Sequence, residues 1–252
     1  MNRVEHGLVS KVPAITLGFW VIKILATTFG ETAGDTVSMS MGFGYLAGSI
    51  IFFAVLAGFV WWQIAASRFH PLLYWATIIT STTAGTTMAD FATRSLGIGY
   101  AGGSAILLAC VVGSLCVWHW ATGSISATAV REPKAELFYW TTITFSQTLG
   151  TALGDWTADT GGLGYGGAAA VFGALLAILA AFYFWTAMSR VLLFWGAFIL
   201  TRPLGATVGD LLDKPLDHGG LAFSRPIASL VLAVAILALV TFLPQRPGQH
   251  PE

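Results

Sequence analysis

Charge is scarce in this chain. Twelve basic and twelve acidic side chains make up 10% of 252 residues and cancel to a formal charge of zero, so no basic surface argues for nucleic acid. Cysteine is scarcer still. Cys110 and Cys116 are the only two, six apart in one apolar run, a poor spacing for pairing or chelation, and are read as small core residues. Catalytic signatures are missing as well: there is no Ser and His pairing, no H-E-x-x-H and no ATP-binding loop, so an enzyme is not expected, nor a covalent cofactor. A cleavable leader is also not expected. The first ten residues are polar and no small-residue cleavage site follows the first apolar run, so the first helix should be retained.

What abounds is apolar surface. A hydrophobic fraction of 56% is not a soluble balance. Residues 45–66, 100–121, 165–188 and 221–243 are each long enough for a hydrocarbon core of roughly 30 Å, with little charge inside them. Between them lie four shorter, more polar segments, residues 15–35, 72–90, 137–155 and 192–210, which are read as spans too. The expected fold is all-α: a polytopic membrane protein with eight transmembrane helices.

An internal repeat sets the register. Trp20, Trp75, Trp140 and Trp195 are spaced by 55, 65 and 55 residues. Ten residues after each stands Gly30, Gly85, Gly150 or Gly205, and fifteen after each stands Asp35, Asp90, Asp155 or Asp210. At twenty-four comes Gly44, Gly99, Gly164 or Gly219. The units are residues 14–69, 70–131, 132–190 and 191–243 of a single domain, 14–243, with a surface tail of residues 1–13 and a second tail, 244–252. Two spans per unit make the repeats parallel, unlike inverted-repeat transporters.

Orientation follows from lysine and arginine in the short loops. Arg3, Lys11, Arg68, Arg131, Lys134, Arg190 and Arg246 share one side with both termini, against Arg94, Lys214 and Arg225 on the other. Both termini are expected in the cytoplasm, with the aspartate-bearing turns outside. The repeated tryptophans fit interfacial belts, although one in every repeat also suits packing between units. Gly44 with Gly48, Gly99 with Gly103, and Gly166 with Ala170 suit close helix packing.

Function should lie in the polar helices. Near each glycine cluster hydroxyls that lipid would not accept, among them Thr28, Thr32, Thr83, Thr87, Thr148 and Thr151. Acids at this depth need positive partners, for which Lys23, Arg202, Arg94 and Lys214 are the candidates; Arg94 and Lys214 also fit exposed outer loops. Glu31 is unique. The other repeats carry Thr86, Thr151 and Ala206 there, and Glu31 and Asp35 are four apart on one helical face. Were the helix to unwind at Gly30 or Gly34, freed carbonyls would join them as ligands. Such oxygen sites suit hard or borderline divalent cations, and the four motifs contain no Cys or His for copper or zinc. The plainer alternatives are helix-terminating aspartates and a structural Glu31 ion pair with Arg202 or Lys23.

The fourfold unit of two spans, with its repeated tryptophan and G-x-x-x-x-D, resembles a bacterial family of four-repeat integral membrane proteins of unknown function. That resemblance covers residues 14–243 and implies the cytoplasmic (inner) membrane, but no activity. A weaker similarity is to small manganese and calcium exchangers with E-x-G-D-[KR]-[TS]. Glu31-Thr32-Ala33-Gly34-Asp35-Thr36 has one residue more, lacks the basic residue and occurs once.

The expected function is therefore secondary transport, in the export direction, of a divalent metal cation, manganese first, coupled to protons. Glu31 and Asp35 would be metal ligands, and Asp90, Asp155 and Asp210 ligands or proton carriers. A small organic ion bound by Arg202 and a structural membrane subunit are the alternatives, and a homo-oligomer is compatible with either. Cells producing Glu31→Gln or Asp35→Asn variants should lose metal tolerance; unchanged tolerance with correctly folded protein overturns the assignment.

Overall fold

A computed structural model describes residues 10–130 and 132–248; Arg3, Arg131, residues 1–9 of the first expected tail and 249–252 of the second lie outside the described residues. Eight long helices and no strand are found among them: α1 (Leu17–Asp35), α2 (Gly44–Ala65), α3 (Pro71–Asp90), α4 (Gly99–Thr122), α5 (Pro133–Asp155), α6 (Gly164–Trp185), α7 (Arg190–Asp213) and α8 (Arg225–Phe242). Of these, α2, α4, α6, α7 and α8 are long and apolar enough to cross a membrane by themselves. The protein is a polytopic membrane bundle of four parallel two-helix repeats.

Local chemistry sets the helix boundaries. Thr16 and Ser189 accept hydrogen bonds from the backbone N–H groups of Phe19 and Leu192, capping α1 and α7, while Pro71 and Pro133 stand in the first turns of α3 and α5. The glycines at the twenty-fourth repeat position share a left-handed backbone, with φ of 77°, 74°, 63° and 80° at Gly44, Gly99, Gly164 and Gly219. That conformation, open to glycine at little cost, explains their recurrence better than packing does. Only Gly48 and Gly103 of the expected close-packing set meet a neighbouring methyl, from Thr87 and Thr93. Gly166 and Ala170 are exposed.

The close approaches lie elsewhere. Helices α1, α3, α5 and α7 form an inner ring, each packed on the next and α7 on α1. Gly30 receives Thr82, Gly85 receives the backbone of Gln147 and Thr148, Gly150 receives Arg202, and Gly205 receives Thr27. One turn on, Gly34, Gly154 and Gly209 repeat the contact against Thr86, Ala206 and Glu31. Small residues four apart thus act on the polar helices, where neighbouring backbones must nearly touch. Hydroxyls seal the seams: Thr82 donates to the Ala26 carbonyl, Thr86 to Gly30 and Thr27 to Thr201. Helix α1 therefore runs unbroken through Gly30 and Gly34, and the expected unwinding does not occur.

Outside the ring, pairing is shifted by one repeat. Helix α2 packs on α3, α4 on α5, α6 on α7, and α8 returns to α1, closing the circle. The apolar faces of these outer helices look outward, and Cys116 is exposed and Cys110 only half-buried, contrary to the core role expected of them.

The tryptophans do not form a belt. Trp75, Trp140 and Trp195 are buried, and each preceding aromatic packs on the next repeat's tryptophan: Phe19 on Trp75, Tyr74 on Trp140, Tyr139 on Trp195 and Phe194 on Trp20. Burying three of the four indoles, with Trp20 half-buried, outweighs placing them at an interface, while Trp61, Trp120 and Trp185 near the ends of α2, α4 and α6 are exposed. Residues 10–13, expected in a surface tail, also belong to this closed end. Val12 joins its apolar cluster, Lys11 pairs with Glu136 at 2.6 Å, and the chain ends meet through an Ala14 N–H to Arg246 carbonyl bond of 2.8 Å.

Gly205→Val forces a branched side chain into Thr27 with no room to yield. Overpacking of this kind costs about 1–3 kcal/mol, and the variant should unfold roughly 5 °C below the parent in detergent. An unchanged melting temperature would mean that the α7–α1 seam is not tight.

Candidate functional site

Counted from the repeat tryptophan, the residues at −1, 3, 7, 11 and 15 fall on one face of each inner helix, and four residues advance the helix by about 6 Å. Around the ring they make five stacked, buried layers. The aromatic layer of Phe19, Tyr74, Tyr139 and Phe194 comes first, with Tyr74 and Tyr139 hydroxyls 2.7 Å apart. Next are Lys23, Ile78, Ile143 and Phe198; then Thr27, Thr82, Gln147 and Arg202; then Glu31, Thr86, Thr151 and Ala206; last, the four aspartates.

The fourth layer is tied together by the third. Arg202 extends along the axis, and its Nη2 lies 2.9 Å from Glu31 Oε2, 2.6 Å from Thr86 Oγ1 and 2.5 Å from Thr151 Oγ1. Three copies of one repeat position, Glu31, Thr86 and Thr151, thus converge on a guanidinium supplied by the fourth unit, whose own residue there is Ala206. Glu31 is engaged as the partner of Arg202, the structural ion pair foreseen as its plainer role.

The fifth layer gathers every repeat aspartate. Arg94 lies 2.9 Å from Asp90 and 3.1 Å from Asp155. Lys214 lies 2.8 Å from Asp210, 2.5 Å from Asp35 and 3.8 Å from Asp213, and Arg225 is 3.2 Å from Asp213. Arg94 and Lys214 are equivalent residues of alternate repeats, so each spans two aspartates. A π-helical turn after Asp90, Phe91–Ser95, returns Arg94 over the ring; similar turns follow Asp35 and Asp155. Lys214 is buried rather than exposed in a loop. Burial alone would lower its pKa, but Asp210, Asp35 and Asp213 outweigh that and hold it well above the usual lysine value.

Other candidates are placed differently. Lys23 reaches no acid: its amine sits 4.0 Å over the Phe198 ring. Thr28, Thr83 and Thr148 donate to carbonyls of Ile24, Ile79 and Thr144 on their own helices, and Thr87 does likewise. Thr32 donates to the Phe29 carbonyl and accepts from Ser229 of α8. These five tighten helices and seams away from the axis. Sequence reasoning left Thr86, Gln147, Asp213 and Arg225 out of the candidate site. The first two were detectable, because stepping by four from the residue before each tryptophan selects them; Arg225 reaches the ring through the return of the chain after α7.

Asp35, Asp210 and Asp213 each offer a carboxylate oxygen, and these three oxygens lie within 4.8 Å of one another. That donor set suits a hard cation, and the Lys214 ammonium now stands among its members. Five carboxylates of the outer cluster face three bases, a formal excess of two negative charges.

Removing one partner of the Glu31–Arg202 pair strands a buried charge, at a cost of about 3–5 kcal/mol. Glu31→Gln should therefore lower the melting temperature by roughly 10 °C, and Glu31→Gln with Arg202→Met should recover most of it. Additive losses in the double variant would show that the pair is not coupled.

No curated protein and no solved structure matches the chain. A family profile described as a Repeat of Unknown Function (DUF347) matches four times, over residues 18–69, 73–124, 138–189 and 193–244. Each match takes in one inner helix and the outer helix that follows it, and together they cover most of the sequence, so the chain belongs to that family of four-repeat proteins.

Proposed function

We propose that the protein is a secondary transporter moving a divalent cation, manganese first, along the axis shared by α1, α3, α5 and α7. The observation that carries this reading is the convergence of Asp35, Asp210 and Asp213 on one cluster that retains excess negative charge. A cation reaching it competes with the tethered ammonium of Lys214. Such competition favours transport over storage, because the lysine returns to its carboxylates as the cargo leaves. The Glu31–Arg202 pair blocks the path one layer further in, and proton delivery to Glu31 would loosen it, which makes protons the proposed coupling ion.

The bacterial inner membrane is the proposed location, with the aromatic end and both termini in the cytoplasm. Lys11, Arg68, Lys134, Arg190 and Arg246 support this orientation. The aspartate ring then opens outward and export ends there.

Lys214→Met should tighten manganese binding about tenfold or more, read as thermal stabilisation of purified protein, while Asp35→Asn and Asp210→Asn should abolish it. In proteoliposomes, manganese flux should accompany proton movement and fail in Asp35→Asn. Absence of metal-dependent flux with folded wild-type protein overturns the reading.

A further inference from the structure

The inner half of the axis has the opposite electrostatic character. Between the aspartate ring and the aromatic layer lie Glu31, Arg202 and Lys23, one acid against two bases, a formal excess of one positive charge. Glu31 is committed to Arg202 at 2.9 Å, and no carboxylate among the described residues comes within ion-pair distance of Lys23.

Lys23 is fully buried, and its Nζ donates no hydrogen bond among the described residues. The Phe198 ring faces it 4.0 Å away, which serves one side of the ammonium and none of its three N–H groups by a lone pair. Other buried polar groups of the same stretch also lack partners: Arg202 Nε, both ends of the Gln147 amide, and Ser146 Oγ. Lys23 and Arg202 occupy successive layers on adjacent helices, and Gln147 shares the layer of Arg202. Orphaned donors beside an unpaired amine in a fully buried stretch are chemistry that an anion, binding together with a proton on the amine, would satisfy.

We propose that this stretch is a binding site for a compact monovalent anion of halide or nitrate size, held by Lys23 Nζ with help from the Gln147 amide and Arg202 Nε. The site is separate from the outer cation cluster and does not depend on the identity of any cargo. The Phe198 ring over Lys23 Nζ and the buried Ile78 and Ile143 of the same layer make the surroundings apolar, which suits a weakly hydrated anion such as bromide, iodide or nitrate better than sulfate.

The test uses the purified full chain in detergent at fixed ionic strength and neutral pH, replacing gluconate with chloride, bromide, iodide or nitrate and following unfolding by tryptophan fluorescence. Bromide should raise the melting temperature saturably by several degrees. Lys23→Met should be folded, no less stable than the parent in gluconate, and unresponsive to bromide. Gln147→Leu should shift the half-saturating concentration up by about tenfold, the worth of one hydrogen bond to a charged group. In a bromide-soaked crystal the anomalous signal should lie beside Lys23 Nζ, a readout that needs no variant. Absence of a saturable wild-type response, an equal response in Lys23→Met, or bromide density elsewhere overturns the proposal.

Discussion

Arg202 has nowhere to put its charge except the axis. Its Cβ and Cγ lie over Gly150, where any side chain would collide, so the guanidinium is directed along the ring toward Glu31, Thr86 and Thr151. A buried ion pair is a poor source of net stability, since desolvation consumes most of its Coulomb energy. Its effect is on geometry. Three helices supply oxygens to one planar cation from the fourth, and that arrangement requires each inner helix to sit at a defined height and rotation. Glycines at the seams make the approach feasible, and the hydroxyls of Thr27, Thr82 and Thr86 fix the height by bonding to backbone carbonyls across the α7–α1 and α1–α3 seams.

The charges on either side follow from that central lock. Outward, alternate repeats supply Arg94 and Lys214, so the fourfold ring of aspartates becomes two bridged pairs. Asp213 and Arg225 then distinguish the pair containing Asp35 and Asp210 from the other. Inward, Lys23 stands alone with Ile78, Ile143 and Phe198. The axis thus differs on its two sides, with carboxylates outnumbering bases on the aspartate side of the lock and an unpaired buried amine on the aromatic side, although the chain as a whole is neutral. In a low-dielectric interior such a difference in charge has long reach.

Much of this was legible in the sequence because repetition cancels noise. A single Gly or Asp says little, but four in the same register identify the element, and the eight helices, parallel repeats and polar inner spans follow from it. Other features were hidden for physical reasons. The tryptophans looked interfacial because aromatic enrichment at span ends has that usual cause; their recurrence also suited packing between units, and the choice between the two is a tertiary one that spacing does not decide. The outer-loop reading of Lys214 failed because the chain after α7 folds back: Leu221, Ala222 and Phe223 donate to carbonyls of Leu211, Lys214 and Leu212, enclosing the lysine. Glu31 was singled out as unique, and the structure pairs it with Arg202, itself a single occurrence among the four repeats. Pairing of each outer helix with the following repeat was likewise invisible, since sequence periodicity is blind to which neighbour a helix chooses.

That shifted pairing bears on why four units share one chain. A lone unit leaves its inner stripe of hydroxyls and aspartate without partners and its outer helix without the surface it packs on, so stability arises only when the ring closes, α8 on α1. Four separate copies would close the same ring, but each axial position would then appear four times. A glutamate in the fourth layer would place four carboxylates together, and an arginine in the third would place four guanidiniums together. Within one chain, Glu31 faces two threonines and an alanine, while Arg202 shares its layer with two threonines and a glutamine. Fusion of the repeats is therefore what permits a single ion pair on the axis, and with it the polarity that a symmetric ring cannot have.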